Sequence, residues 1–244
     1  MNHRQSRVPT LADALWPADV FSGLRAAVLV VLGVLVLATL ASVHVPFWPV
    51  PMTLQTLAVL ALAAVYGCRL GTAAVLAYLL VGAAGMPVFA GTPGRGVGLA
   101  YMTGPTGGYL LGFVLAAALV GALADRGWDR RLFGAGMAMT LGLAVIMGGG
   151  WAWLATLMGP VEALAAGVVP FLPAEVVKVC LGMCLLPALW TLVERRRDRP
   201  AGGASPASPG CAHPAPQRPT PPRPRTASAA WGSPPWGPWR GGRA

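Results

Sequence analysis

Charge is what this chain has least of. Of its 244 residues, 11% are Asp, Glu, Lys or Arg, against about a quarter in a typical soluble domain. From Ala26 through Ala124 the only charged residues are Arg69 and Arg95. Lys178 is the sole lysine, and no G-x-x-x-x-G-K-[ST] loop occurs, so ATP binding of that kind is excluded. Histidine is almost as scarce. His44 has no sequence partner for acid–base work, and no nucleophile–base set appears, which argues against an enzyme. Of the four cysteines, Cys68, Cys180 and Cys184 fall in or beside apolar segments and Cys211 near the end. Cys180 and Cys184 share a helical face, but no histidine accompanies them, so they read as small packing residues and not as metal ligands.

Long apolar runs are abundant. Mean hydropathy is +0.62, and the runs 26–43, 106–124 and 132–158 match the roughly 17–25 residues that cross a bilayer as a helix. They lack the period-two alternation of a membrane barrel. The sequence therefore predicts an all-α polytopic membrane protein with six transmembrane helices, near 24–43, 52–67, 70–85, 106–124, 132–156 and 172–193. About 25 residues precede the first run, too many for a signal-peptide n-region, so an uncleaved first helix is expected.

The net charge of +10 has to be divided by region. Residues 1–193 hold nine Lys+Arg and six Asp+Glu, and residues 194–244 hold nine and two. The basicity is thus mostly a property of the tail, and no nucleic-acid face is expected on the membrane part. Three regions follow: an N-terminal cytoplasmic segment 1–23, a six-helix membrane domain 24–193, and a basic Pro/Gly/Arg-rich tail 194–244 whose composition predicts disorder. Arg4, Arg7, Arg25, Arg69, "DRGWDRR" (125–131) and "ERRRDR" (194–199) all fall on one side of six spans. The positive-inside bias makes that side, with both termini, cytoplasmic. The opposite loops, 44–51, 86–105 and 157–171, contain just Arg95 and Glu162.

Polar residues inside such a chain are costly and usually functional. Helix 6 begins "FLPAEVVKVCLG", with Pro173 suited to a first turn and Glu175 and Lys178 on one face at i,i+3. Lys178 lies ~8–9 Å from the helix start at ~1.5 Å per residue. The pair either satisfies itself or serves a ligand. Helix 2 begins "PVPMTLQTLAV", placing Thr53 and Gln55 in its first turn, where Thr53 also qualifies as an N-cap. Topology brings Gln55, Thr53, Arg95, Glu175 and Lys178 to the outer half. Phe47, Trp48, Phe89, Tyr101 and Tyr109 lie in or beside the same loops, either as interfacial belt residues or as pocket walls. Gly108 and Gly112 have the spacing that lets helices approach closely.

In order, "VPFWPVPMTLQTLAVLAL", "LVGAAGMPVFAG…GRG", "TGPTGGYLLGF" and "FLPAEVVK" resemble the BioY family, the biotin-specific S-components of energy-coupling-factor (ECF) transporters, over about residues 24–193. The resemblance implies six helices and a biotin pocket opening outward. It also implies partners, a transmembrane coupling protein and two ATP-binding subunits, in a bacterial plasma membrane. The family's Asp-x-x-Lys falls on Glu175 and Lys178, and its loop arginine on Arg95. Here Glu replaces Asp, and Ala174 replaces the usual Gly, which is expected to tighten the pocket. Biotin offers a ureido ring, an apolar thioether body and a carboxylate. Glu175 is expected to accept from ureido N–H, Lys178 or Gln55 to donate to the carbonyl, and Arg95 to hold the carboxylate. No cofactor is implied. The alternatives are a self-sufficient proton-coupled carrier and an S-component for another vitamin. Family members present small residues of helix 1 to the coupling protein; here Ala38, Ser42 and Gly33 are the weaker equivalents.

Overall fold

A computed structural model of the chain describes residues 9–16, 22–45, 50, 52–94 and 96–197. The tail from residue 198, Phe47, Trp48 and Arg95 lie outside the described residues. The elements are α1 (Leu11–Leu15), α2 (Ser22–Ser42), a two-residue antiparallel pair β1 (His44–Val45) and β2 (Met52–Thr53), α3 (Gln55–Ala83), α4 (Leu99–Met102), α5 (Gly107–Ala124), α6 (Leu132–Met158), α7 (Pro160–Gly167) and α8 (Leu172–Arg197). In the pair, His44 faces Thr53 and Val45 faces Met52.

The protein is an all-α polytopic membrane protein. Among the described residues, five stretches are long and apolar enough to cross a bilayer: α2, α3, α5, α6 and the run Pro160–Arg195 that holds α7 and most of α8. Two helices were expected where α3 now stands, at 52–67 and 70–85. Gly67 explains the difference. Its φ of 78° and ψ of 178° break the helix, a conformation open to a residue without Cβ. A Cβ placed on Gly71 would lie 2.8 Å from Ala63 Cα, whereas eight residues of unbroken helix climb ~12 Å. The chain therefore reverses at Gly67. Asp125 holds the reversal, its Oδ2 accepting from Cys68 N at 3.4 Å.

Small residues set the packing. On α2 the stripe Arg25, Leu29, Gly33, Leu37 and Ala41 is buried at helical spacing. Gly33 sits against Ala74, Leu62 and Tyr66 of α3, so it packs internally and is not presented to a partner. Val31, Leu32, Leu35 and Val36 on the other faces are exposed, as lipid contact requires. Gly108 and Gly112 do serve close approach. A Cβ on Gly112 would fall 2.9 Å from Ile146 Cα, and one on Gly108 would strike Trp153 and the Gly149 carbonyl. Gly112→Leu is therefore expected to overpack the α5–α6 crossing by about 3 kcal/mol or more, seen as lost monodispersity and a lower melting midpoint in detergent.

Within the N-terminal segment, residues 9–16 form a short packed element. Thr10 and Asp13 form a capping box for α1, and Leu11 is buried in the same core as Leu37 and Ala63. Arg25, read above as a loop charge, is buried inside α2 and bonded to Asp13 Oδ1 at 2.9 Å. A short amphipathic element gave too little periodicity to reveal it. Burial alone would raise the Asp13 carboxyl, but hydrogen bonds from Arg25 and Thr10 outweigh it and hold the group below its ordinary 3.8. A depressed carboxyl stabilises the fold above its unfolded value, and that contribution is lost as pH falls through the folded value. Asp13 is 43% exposed, so Asp13→Asn should cost at most about 1 kcal/mol at pH 7. Melting curves of the two proteins should converge below about pH 4.

Candidate ligand-binding site

Where α3 and α8 begin, their first turns meet. Glu175 and Lys178 of α8 point toward Thr53 and Thr56. The Lys178 ammonium donates to Glu175 Oε1 at 2.6 Å, to Thr53 O at 2.5 Å and to Thr56 Oγ1 at 3.0 Å. Three donors meet three acceptors, so the ammonium is saturated. Thr56 Oγ1 in turn donates to Glu175 Oε1 at 3.0 Å. All three side chains are buried. Among the described residues, both hydrogen bonds to Glu175 fall on Oε1.

Next to this knot lies a cavity holding about 470 Å³ of space free of protein atoms, counting its mouth. Thr53, Gln55, Thr56 and Glu175 make one polar wall, while Tyr101, Tyr109, Leu110, Phe113, Met147 and Phe171 supply the apolar remainder. Gln55 is 4% exposed. Its amide lies beside the Tyr78 hydroxyl, yet among the described residues Nε2 has no hydrogen-bond partner of sound geometry. A buried donor left so costs roughly 1–3 kcal/mol.

The segment over the cavity is fastened by aromatics. Tyr101 donates to Ala90 O at 2.9 Å and Tyr78 to Val88 O at 3.0 Å. Phe89 stacks on Tyr101, with centroids 4.8 Å apart and planes at 16°, and meets Tyr78 edge-on at 5.5 Å. Tyr109 donates to Gly167 O at 2.6 Å, tying α5 to the end of α7.

A family model described as the BioY family matches residues 9–195. The chain belongs to the BioY family. The match begins 15 residues before the resemblance read from the motifs, so it takes in α1. Among curated relatives, the probable biotin transporter BioY of Pyrococcus horikoshii is 38% identical over 149 residues, covering 61% of this chain and 86% of that protein. The biotin transporter BioY of Thermotoga maritima is 37% identical over 161 residues, covering 64% and 90%. That of Rhizobium etli is 36% identical over 187 residues, covering 69% and 96%. A crystal structure of the S-component for biotin from an ECF-type ABC transporter shares the fold. Its TM-score is 0.57, with 24% identity over 68% of this chain and 88% of that one.

In this BioY protein the expected residues fall into three places. Thr53, Gln55, Tyr101, Tyr109 and Glu175 line the cavity. Lys178 stands behind Glu175, and Phe89 stands behind Tyr101, with Ala90 reaching the wall instead. Arg95 lies outside the described residues. Ala174, expected to narrow the pocket, is not in the lining. Sequence reasoning missed Thr56, Phe113 and Phe171. Thr56 follows Gln55 in the same turn and Phe113 follows Tyr109 by four residues, so helical spacing from residues already singled out was the available signal.

Proposed function

We propose that this chain is the biotin-capturing membrane subunit of an ECF transporter. One observation carries the reading: an unpartnered amide donor, Gln55 Nε2, and a carboxylate with one oxygen outside the internal hydrogen bonds, Glu175 Oε2, border the same cavity. A ureido group needs that combination. Its N–H donates to Glu175, and its carbonyl accepts from Gln55. Tyr101, Tyr109, Phe113 and Phe171 enclose the apolar rings and chain. Lys178, saturated by protein acceptors, positions Glu175 and does not itself reach the ligand. Arg95 holds the biotin carboxylate.

The reversal at Gly67 supports six spans, two of them short, and the distribution of arginines supports cytoplasmic termini in a bacterial plasma membrane. ATP hydrolysis belongs to two partner subunits joined through a transmembrane coupling protein. The test is a thermal-shift series of the purified chain with biotin, thiamine and riboflavin. A midpoint rise with biotin alone is expected. A rise with thiamine or riboflavin in its place, or with none, overturns the assignment.

A further inference from the structure

At the end of the fold remote from the cavity, α5 gives way to α6 through Gly127 and a 3-10 turn, Trp128–Arg130. A groove of about 1,250 Å³, open to the surroundings, runs along this turn. Arg126, Arg130 and Arg131 line it together with Trp128, Phe133 and Met137, and among the described residues no acidic one does. The two nearby acids are engaged elsewhere. Asp125 accepts from Cys68 N. Asp129 is 2% exposed and accepts from Trp190 Nε1 at 2.5 Å.

The three arginines differ in what they already do. Arg130 stacks over Trp190 at 4.2 Å and donates to Pro9 O at 3.1 Å. Arg126 uses one nitrogen to cap the Ala122 carbonyl at 2.7 Å. The Arg131 side chain makes no hydrogen bond or ion pair among the described residues, its carbonyl alone accepting from Ala135 N at 2.8 Å. Below them, Phe133, Met137 and Leu141 repeat every four residues down α6, each exposed, Phe133 by 79%. A row of cations at the headgroup level therefore continues into an apolar ridge along a membrane-spanning helix.

The geometry points to a binding site for one anionic phospholipid, its phosphate between Arg126 and Arg131 and an acyl chain along Phe133, Met137 and Leu141. Charge complementarity decides the occupant: a cationic rim without carboxylates favours an anionic headgroup over a zwitterionic one. This site goes beyond vitamin capture and does not depend on it.

The experiment uses the full chain in nanodiscs of equal phosphatidylglycerol and phosphatidylcholine, with retained lipid counted by native mass spectrometry. Wild type should retain phosphatidylglycerol preferentially. At about fivefold per arginine near a charged surface, Arg126→Gln with Arg131→Gln should lower the retained ratio on the order of twentyfold. Arg69→Gln, a single charge removed beside a different cavity and outside the groove, should alter it by less than about twofold, because the attraction falls off with distance from the charge. The biotin-induced thermal shift should persist in the double variant, which keeps this result separate from the vitamin assignment and reports folding. An unchanged ratio in the double variant overturns the proposal, as does an equal fall with Arg69→Gln. Loss of co-purifying transporter subunits with lipid retention intact would also overturn it, because the groove would then be a protein interface.

Discussion

Lys178→Met should unfold this protein more readily than any surface change and abolish biotin binding. The substitution leaves Glu175 buried beside Thr56 without its cation, and removing one member of a buried ion pair costs about 3–5 kcal/mol. A fall of roughly 10 °C or more in the melting midpoint is expected for a domain of this size. Adding Glu175→Gln to the same chain removes the uncompensated charge and should restore most of the stability. Binding should stay weak, because a neutral amide oxygen replaces the charged acceptor for the ureido N–H. Double-mutant recovery of binding would show that the couple is structural and that the ligand is held elsewhere.

Gln55→Leu should move stability and affinity in opposite directions. The buried Nε2 is unpartnered in the empty protein, so an apolar side chain of similar size relieves roughly 1–3 kcal/mol of desolvation and should raise the melting midpoint. The ligand then loses a donor to its carbonyl, and a missing hydrogen bond in a desolvated site weakens binding by about 10-fold or more. Isothermal titration of biotin alongside apo melting curves separates the two effects. A fall in apo stability would mean that the Gln55–Tyr78 contact supports the fold and that no donor is held in reserve.

Helices were legible where composition alone decides them. The runs at 106–124, 132–156 and 172–193 became α5, α6 and α8 within a few residues at most ends, since continuous apolar stretches have one stable form in a bilayer. α8 continues to Arg197 because basic residues suit a helix C-terminus. The break at Gly67 was visible as a glycine between two short apolar runs, although its tight geometry let one hydrogen-bonded element span both. What stayed hidden depends on distant partners. Nothing near Arg25 in sequence announces Asp13 as its ion-pair partner, because the chain must first fold α1 back. Likewise, nothing near Lys178 in sequence announces the acceptors around its ammonium. Thr53 O and Thr56 Oγ1 are two of them, and both lie more than a hundred residues from Lys178 along the chain.

The Glu175–Lys178 couple sums to zero charge. A membrane voltage therefore does no net work on it, whereas a lone carboxylate crossing the whole field would feel about 2.3 kcal/mol per 100 mV. So far as these two residues are concerned, an energised cell and a depolarised one present the vitamin with the same receptor.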